Sequence, residues 1–263
     1  MRITVINLAR ATDRRQFMER QAQTLGLAFD FLEATDGKTL ADTDRALIDH
    51  DKRKAISPYP LTDNELGCWL SHRRAMQALL DSGETMCAIL EDDAALSPDF
   101  PRVLAAIKSL PESSFDVIDL HRNFKRNEIF AFCRKLTDGY DLGRIGTTHM
   151  NATGYVVTRK GAEKTLASTP KAAHAIDKDM HRYWANGLDF YGLSQPVAKQ
   201  QDNGHSYIDE TRGQDRPADR PRYPDADRPI WRFRRRWTKL CDTLAKRAIF
   251  PYYVWKGRKN LSA

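Results

Sequence analysis

An apolar stretch that ends in three consecutive carboxylates constrains this chain more than any other part of its sequence. The stretch runs from Met86 to Leu90, and Glu91, Asp92 and Asp93 follow it directly. It predicts a buried strand, and burying neighbouring anions is costly unless positive charge compensates them. Alternate side chains of an extended backbone share a face, so we expect Glu91 and Asp93 to bind one ligand while Asp92 points elsewhere. Carboxylate oxygens suit Mg²⁺ or Mn²⁺; a solvated turn is an equally open alternative from the triplet alone.

Strands and helices alternate along the first half of the chain. Apolar segments predict strands over residues 3–8, 27–34, 86–90, 115–120, 151–158 and 188–193, and helical spacing predicts helices over 13–25, 62–80, 98–110, 159–166 and 176–186. The second of these helices opens with a capping box formed by Thr62 and Glu65. Residues 38–60 are polar and have no clear period. The alternation predicts an α/β fold with a mainly parallel sheet covered on both faces.

Length and composition limit the class of protein. With 263 residues, 41% of them hydrophobic, the chain can form one large α/β domain with an appendage. Its four cysteines are far apart in the sequence, which argues against a zinc site or a disulfide scaffold and suits a reducing cytoplasm. We find neither a signal peptide nor a stretch of about 20 apolar residues. We therefore expect a cytoplasmic chain without a membrane-spanning helix.

The net charge of +7 is concentrated at the end of the sequence. From Arg228 onward there are eleven Lys and Arg residues against one acid, Asp242, so this segment carries +10 and the remainder carries −3. Residues 211–229 are rich in Pro, Arg and Asp, which is typical of a linker or an extended arm. We therefore divide the chain into a globular domain over residues 1–210, this linker, and a basic tail over residues 230–263.

The basic tail has the pattern of an amphipathic helix. Arg and Lys residues fall on one side of a helical wheel. The apolar residues fall on the other side: Ile230, Phe233, Trp237, Leu240, Cys241, Leu244 and Ala248. A cationic helix of this kind is typical of an interfacial membrane anchor, so we expect it to bind an anionic membrane surface. Packing against the domain or a second subunit is an alternative. Nucleic-acid binding is the least expected alternative, and the oligomeric state stays open.

A series of short motifs resembles glycosyltransferase family 25 in both content and order. The motifs are Val5-Ile-Asn-Leu8 with Asp13-Arg-Arg15, Ala34-Thr-Asp-Gly37, Leu61 to Glu65, Gly67-Cys68, Ser71-His72, Leu90-Glu-Asp-Asp93, Asn151 to Leu166 and Ile176-Asp-Lys-Asp179. Bacterial members build lipopolysaccharide or lipooligosaccharide, and relatives glycosylate collagen. The resemblance covers residues 1–210 and implies a GT-A type, Rossmann-like nucleotide-diphosphosugar transferase fold. It also implies inverting transfer from a UDP-sugar, most often UDP-galactose or UDP-glucose.

The resemblance implies a metal, Mn²⁺ or Mg²⁺, at the acidic triplet. Such a cation bridges the two phosphates of the donor and acts as a Lewis acid on the departing nucleotide. We expect Asp93 to be a direct ligand and Glu91 a second one, with Glu91 or Asp92 contacting metal-bound water or the ribose. His205 lies where related enzymes often place a histidine ligand, and an ordinary surface-loop histidine is the alternative.

Candidate donor-binding residues follow the first two predicted strands. Asn7 ends the first strand, and Arg14 and Arg15 open the next helix, an arrangement that suits nucleotide and phosphate binding. A solvated first turn is the alternative for both arginines. Asp36 and Gly37 end the second strand, where they either approach uracil or ribose or form an ordinary turn.

Further candidates lie on helices and at the start of a later strand. The resemblance places the helix that carries Ser71 and His72 beside the donor sugar, with a buried structural histidine as the alternative, and it makes Asn151 a further substrate-binding residue. An inverting enzyme needs a general base near the acceptor hydroxyl. Asp177 is the first candidate and Asp179 the second, although carboxylates at a helix start also serve simply as caps.

The sequence therefore predicts a metal-dependent, inverting bacterial glycosyltransferase. We expect it to move galactose or glucose from a UDP-sugar to a lipopolysaccharide or lipooligosaccharide acceptor, at the inner face of the cytoplasmic membrane. One alternative is a metal-dependent phosphoryl-transfer or hydrolytic enzyme, because an acidic cluster after a strand also serves that chemistry. The other is a non-catalytic membrane adaptor with a basic tail.

Overall fold

An eight-stranded sheet forms the centre of the structure, a computed structural model that describes residues 1–121, 129–146, 151–201 and 221–262. The described residues form ten strands, eight in this sheet and two, β4 and β10, in a separate pair. They are β1 (Arg2–Asn7), β2 (Asp30–Glu33), β3 (Met86–Glu91), β4 (Ala94–Leu96), β5 (Val117–Asp119), β6 (Phe130–Thr137), β7 (Tyr140–Ile145), β8 (Gly154–Thr158), β9 (Phe190–Leu193) and β10 (Ala198–Gln200). The helices are α1 (Thr12–Leu25), α2 (Asp42–Arg45), α3 (His50–Lys54), α4 (Asp63–Asp81), α5 (Phe100–Lys108), α6 (Arg159–Ser168), α7 (Ile176–Met180), α8 (Tyr183–Asn186) and α9 (Pro229–Ser262).

The strand order in the large sheet is β2-β1-β3-β8-β5-β9-β7-β6. Neighbours β1–β2, β1–β3 and β5–β9 pair in parallel, whereas β3–β8, β5–β8, β7–β9 and β6–β7 pair antiparallel. Six strands therefore share one direction, and only β7 and β8 among the eight oppose it. This confirms the predicted α/β class, and β4 and β10 add a separate antiparallel pair beside the end of β3.

Strand β3 is buried on both faces, which explains its continuous apolar sequence. Met86, Ala88 and Leu90 belong to one apolar cluster, while Cys87 and Ile89 belong to the other. The helix α4 contributes Leu66, Trp69 and Met76, among others, to the second cluster, and α1 contributes Met18 to the first. The carboxylates that follow β3 therefore emerge between α1 and α4.

The capping box predicted at the start of α4 is present. The Thr62 hydroxyl accepts from the Glu65 amide at 3.1 Å, and the Glu65 carboxylate accepts from the Thr62 amide at 2.8 Å. This pairing satisfies two of the amides that a helix start leaves without intrahelical partners. The cap fixes where α4 begins, and it therefore fixes which α4 side chains lie beside the end of β3.

Three local predictions differ from the structure. Residues 176–186 form two short helices instead of one, because the Asn186 side-chain amide binds the carbonyls of Asp179 (2.6 Å) and Met180 (3.2 Å), which a continuous helix would bond internally. Residues 38–60, for which no element was predicted, contain α2 and α3. The β6–β7 hairpin was missed, although Asp138-Gly139 is a typical two-residue hairpin turn and Gly139 has φ +78°.

The C-terminal helix α9 packs on the domain with one side of its second half. Tyr253, Gly257 and Leu261 are buried, and Leu261 belongs to the same apolar cluster as the β3 residue Leu90. The Tyr253 hydroxyl accepts from the Phe190 amide at 2.6 Å and lies 2.9 Å from the Leu188 and Phe190 carbonyls. The second half of α9 is thus built into the core. Within the residues that the structure describes, no helix is both long and apolar enough to cross a membrane.

Candidate active site

A pocket opens where β1 and β3 end, between α1 and α4. Eight of the predicted site residues line it: Arg14, Asp36, Gly37, Ser71, His72, Glu91, Asp92 and Asp93. The edge formed by the carboxyl ends of parallel strands is where α/β folds bind ligands. The structure therefore brings the three carboxylates together with residues that are far away in the sequence.

Asp92 is the carboxylate that is held by the protein itself. Its two oxygens accept from the Asn7 side chain and from Arg14, each at 2.8 Å, and Asp92 is buried. Asn7 also donates to the Ala11 carbonyl at 3.2 Å. Burial raises the pKa of Asp92, and Arg14 opposes that shift. Asn7 and Asp92 thus tie β1, the start of α1 and β3 together, which is a positioning role.

Glu91 points to the opposite side, towards α4. Its Oε1 lies 3.4 Å from His72 Nε2 and 3.9 Å from Cys68 Sγ. The other ring nitrogen of His72 lies 2.9 Å from the Tyr155 hydroxyl, which fixes the orientation of the imidazole. Burial, with the nearby charge of Glu91, raises the pKa of the Cys68 thiol well above its ordinary value. Cys68 is therefore a neutral thiol beside the carboxylate.

Asp93 is the least compensated of the three carboxylates. Its Oδ2 accepts from Gln200 at 3.3 Å and lies 3.8 Å from Arg14, whereas its Oδ1 is buried with no hydrogen-bond partner among the residues the structure describes. Burial, followed by the charge of Glu91, raises the pKa of Asp93 to about 7. Asn151 reaches this group only through Gln200, to which it donates at 3.1 Å.

The donor atoms at this edge fit a divalent cation. A buried carboxylate oxygen without a partner, beside a second carboxylate, is chemically suited to Mg²⁺ or Mn²⁺. Ligand atoms of Cys68, His72 and Glu91 also lie within 4.8 Å of one another. Because Mg²⁺ and Mn²⁺ prefer oxygen ligands to sulfur, Glu91 and Asp93 are favoured over Cys68 as the ligands. His205 lies outside the residues that the structure describes.

The loop that carries Asp36 and Gly37 packs tightly on the start of α4. A Cβ on Gly37 would lie 2.8 Å from the Asn64 amide nitrogen, so only glycine fits there. Ser71 Oγ accepts from the Thr35 amide at 2.8 Å and donates to the Gly67 carbonyl at 2.7 Å. Ser71 therefore holds this loop in place. Because its hydroxyl already makes two hydrogen bonds, it is less free to bind a substrate.

Two arginines extend the charge pattern of the pocket, and a third lies outside it. Arg10, which the sequence interpretation did not include, lines the pocket and forms an ion pair with Asp36. Arg15 lies away from the pocket, with its guanidinium 3.0 Å from Glu19 and over the Phe31 ring. Consecutive helical residues are about 100° apart, so Arg14 and Arg15 cannot both face the pocket.

The two candidate bases on α7 have different surroundings. Burial raises the pKa of Asp177 to about 6; the Lys178 amide, which donates to Asp177 at 2.6 Å, opposes this shift, and Glu91 adds to it. Asp179 instead pairs with His174 at 2.8 Å. The charge of Glu91 thus affects the pKa of Asp177, while Asp179 is held in a pair with His174.

Several pocket residues were not predicted, and some of them had a recognisable signal. Asn64 follows the N-cap of α4, where polar residues near a ligand site are expected, and Gln200 lies opposite Ala94 in the β4–β10 pair. Tyr155 occupies an apolar strand, where nothing in the local pattern distinguishes it from a core residue. Its contact with His72 is set by the antiparallel insertion of β8 next to β3, which the sequence does not predict.

Comparison with known proteins is consistent with this site. The family model for "Glycosyltransferase family 25 (LPS biosynthesis protein)" matches residues 1–180. A glycosyltransferase 25 family member of Anopheles gambiae is 32% identical over 179 residues, which cover 64% of this chain and 29% of that protein. Procollagen galactosyltransferase 1 of Danio rerio is 29% identical over 175 residues, covering 64% and 28% respectively.

A viral protein extends the comparison. A putative glycosyltransferase of Acanthamoeba polyphaga mimivirus is 31% identical over 157 residues, covering 57% of this chain and 44% of that protein. The chain thus spans less than a third of the insect and zebrafish relatives and under half of the viral one. The matched part contains β1 to α7 and so includes the acidic edge and Asp177.

Proposed function

Because this chain belongs to glycosyltransferase family 25, we propose that it transfers a hexose from a UDP-sugar to a lipopolysaccharide or lipooligosaccharide acceptor, with inversion at the sugar C1. The observation that carries this proposal is the acidic edge after β3, where Asp93 has a buried oxygen without a partner among the described residues. Galactose is the favoured hexose because the zebrafish relative is named a galactosyltransferase. Glucose stays the alternative, since the two sugars differ at one hydroxyl.

The donor diphosphate is assigned to the acidic edge. Asp93 and Glu91 would hold Mn²⁺ or Mg²⁺, which when bound neutralises the charge of the leaving diphosphate. Arg10 and Arg14 line the same pocket, and guanidinium groups pair well with phosphate oxygens. Asp36, which pairs with Arg10, lines the same pocket and is assigned to the ribose or uracil.

Asp177 is assigned the role of general base. In an inverting transfer the acceptor hydroxyl attacks C1, the bond from C1 to the diphosphate oxygen breaks, and the hydroxyl proton passes to the base. The raised pKa of Asp177, about 6, places it close to neutrality, where a base both is ionised and accepts a proton readily. Asp179 is bound to His174 and is the weaker candidate.

The outward side of α9 is assigned to a membrane surface. Ile230, Phe233, Trp237, Leu240 and Leu244 form an apolar stripe, with side chains between 49% and 62% exposed. This stripe is exposed and is flanked by Arg234 and Arg247. A cationic helix with an exposed aromatic face binds anionic lipid headgroups. The enzyme would therefore meet its lipid-linked acceptor at the inner face of the cytoplasmic membrane.

Family membership favours this proposal over the two alternatives. A phosphoryl-transfer or hydrolytic enzyme would also use an acidic cluster, but the family match includes that cluster and Asp177 together. A non-catalytic adaptor would leave the uncompensated charge of Asp93 without a purpose. Glycosyl transfer is therefore the proposed activity.

A calorimetric titration with UDP tests the donor site. We expect binding in the presence of Mn²⁺, and a loss of at least tenfold in affinity in an Asp93→Asn variant. Asp138→Asn, at the exposed tip of the β6–β7 hairpin, is the matched control and should bind like the wild type. Absence of UDP binding with and without Mn²⁺ would contradict the UDP-sugar proposal.

The pH dependence of transfer tests the general base. With saturating Mn²⁺, so that its ligands Glu91 and Asp93 stay ionised, we expect kcat/KM to fall about tenfold per pH unit below pH 6, because the base must be ionised. An Asp177→Asn variant should keep UDP affinity while losing about 10²- to 10⁴-fold in rate. Asp179→Asn should lose much less. Full activity in Asp177→Asn would remove the assignment.

Sedimentation with phosphatidylglycerol vesicles tests the membrane surface. Substitution is a cleaner test than truncation, because Tyr253, Gly257 and Leu261 are buried in the domain. We expect Trp237→Ser with Leu240→Ser to abolish sedimentation. Ile129→Ser with Phe132→Ser removes two exposed apolar side chains elsewhere on the surface and should sediment like the wild type. Equal sedimentation of both variants would overturn the membrane assignment.

A further inference from the structure

A second cleft lies between α7, α8 and the first half of α9, on the side of α9 that faces the domain. Its volume is about 460 Å³. Six cationic side chains line it: Lys178, Arg182, Arg235, Arg236, Lys239 and Lys246. Asp242 is the only carboxylate among its lining residues. The cleft is therefore strongly positive, whereas the acidic edge after β3 is strongly negative.

The single carboxylate of the cleft is already used. Asp242 Oδ1 accepts from Arg182 at 2.6 Å and from the Trp184 indole at 3.1 Å. Arg235 donates to two backbone carbonyls, those of Lys54 and Ala226, which hold its guanidinium without neutralising it. Most of the positive charge in the cleft thus has no carboxylate partner among the residues the structure describes.

Holding several cations in one concave site is unfavourable unless an anion binds there. Lys178 is half-buried, and its burial together with Arg53 and Arg182 lowers its pKa. Proteins commonly bind phosphate with guanidinium and ammonium groups that converge on a concave site. The ring of Trp184, with Lys246 5.8 Å from its centroid, adds an aromatic wall on one side.

The cleft shares α7 with Asp177, the proposed general base. Asp177 and Lys178 are consecutive on α7. The charge of Glu91 raises the pKa of Asp177, and Lys178 lines the cleft. The helix α9 forms the other wall and carries the apolar stripe on its opposite side. A ligand in the cleft would therefore lie between Asp177 and the proposed membrane surface. The donor diphosphate, in contrast, is assigned to the acidic edge.

We infer that this cleft binds a phosphate group carried by the acceptor, so that the acceptors of this enzyme are phosphorylated saccharides. The inference rests on the proposed function, because it assigns the cleft to the acceptor of that reaction. It predicts that a phosphate on the acceptor contributes to acceptor binding and not to donor binding. Neutral saccharides of the same structure would then be poor acceptors.

Calorimetry with glucose 6-phosphate tests the site, in the presence of saturating UDP and Mn²⁺ so that the donor site is filled. The cleft variant is Arg236→Gln with Lys239→Gln and Lys246→Gln. The matched control is Lys108→Gln with Lys160→Gln and Lys171→Gln, which removes the same charge from exposed positions outside both the cleft and α9. We expect the cleft variant to bind at least tenfold more weakly and the control less than twofold more weakly.

Three outcomes would overturn the inference. They are no binding of glucose 6-phosphate to the wild type, an equal loss in both variants, and equally strong binding of unphosphorylated glucose. Phosphatidylglycerol vesicles separate an acceptor phosphate from a lipid headgroup. If only vesicle sedimentation depends on the cleft residues, the cleft binds headgroups and the inference fails.

The design separates this inference from the proposed function. UDP binding is measured first in every variant, together with the thermal midpoint by circular dichroism. Loss of UDP binding in the wild type would count against the proposed donor, and the glucose 6-phosphate titration can then be repeated without UDP. Retained UDP binding with no phosphate binding would count against the cleft alone.

Discussion

Asp93 and Asp189 are two partly or fully buried aspartates at opposite edges of the same sheet, and their surroundings differ. Asp93 follows β3 at the carboxyl edge, where burial and Glu91 raise its pKa to about 7. Asp189 precedes β9 at the amino edge. Burial would raise its pKa, but Lys256 and Arg144, each 2.9 Å away, outweigh burial and lower it. The fold therefore compensates charge at one edge and leaves charge uncompensated at the other.

The compensated edge is built jointly by the sheet and α9. The Arg144 guanidinium is fully buried, donates to Asp189 and to the Phe190 carbonyl, and lies between the rings of Tyr191 and Tyr253 at 3.7 and 3.8 Å. A Cβ on Gly257 would lie 2.5 Å from Arg144 Nε, so α9 approaches this far only because residue 257 is glycine. The buried Arg144 charge thus has a carboxylate, a carbonyl and two aromatic rings around it, whereas Asp93 has one hydrogen bond from Gln200 and an arginine at 3.8 Å.

The largest expected effect is at the compensated edge. An Asp189→Ala variant leaves Arg144 buried without its carboxylate, and we expect a loss of about 3–5 kcal/mol in the free energy of unfolding. Urea denaturation followed by circular dichroism measures it. Asp138→Ala, which removes an exposed aspartate at the hairpin tip, should cost less than about 0.5 kcal/mol. A small loss in Asp189→Ala would mean that the two edges do not differ as argued.

The opposite pattern is expected at the uncompensated edge. Asp93→Asn should lower the rate of transfer about 10²- to 10³-fold, equivalent to about 3–4 kcal/mol in the barrier. The same variant should unfold at the same or a higher urea concentration, because the substitution removes an unfavourable buried charge. Activity and denaturation are measured on one preparation. A large loss of stability in Asp93→Asn would make Asp93 a structural residue.

A smaller effect sharpens the role of α9 at the compensated edge. Tyr253→Phe removes the hydroxyl that the Phe190 amide donates to and that lies against two carbonyls. We expect a cost of about 1–2 kcal/mol, because a buried amide loses its partner. Tyr252→Phe, on the exposed side of the same helix, is the control and should cost nothing measurable. Equal stability of both variants would argue against docking of α9.

The most gradual expected effect is a difference in pH dependence. The pKa of Asp93 rises from an ordinary value of 3.8 to about 7 on folding, so the folded state binds a proton that the unfolded state has released. Without metal, stability should therefore fall as pH rises from about 4 to 7, by at most about 1.4 kcal/mol per pH unit. Asp189, with its lowered pKa, contributes stability that is lost only in more acidic solution. Urea denaturation in EDTA across this range checks the slope, which Asp93→Asn should flatten.

Much of the acidic edge could be predicted from the sequence because the determinants are local. A buried apolar run, alternation along a strand and a capping box depend on neighbouring residues, so β3, α4 and the separation of Glu91 from Asp92 followed from them. The capping box also identified Thr62 as the N-cap of α4. The same alternation that divides β3 between two apolar clusters directs Asp92 towards Asn7 and Arg14.

The rest depended on pairings between distant residues, which one sequence does not reveal. Strand β8 inserts antiparallel between β3 and β5, and this insertion places Tyr155 beside His72. Arg15 was assigned to the site with Arg14 because both open the same helix, although only one can face the pocket. The domain boundaries and the role of His205 stay predictions. The basic cleft joins residues about 60 positions apart, as the Arg182–Asp242 pair shows.

The docked helix also has a consequence for aggregation. The sheet ends at β2 on one side and at β6 on the other. Strand β2 is short, with the charged residues Asp30 and Glu33 at its ends, which discourages pairing with another chain. Strand β6 has eight residues with Phe130 and Phe132 among them, and α9 packs over it, with Arg258 binding the Phe132 carbonyl. A variant that releases α9 should therefore expose the β6 edge to pairing with another chain. Self-association would then precede complete unfolding.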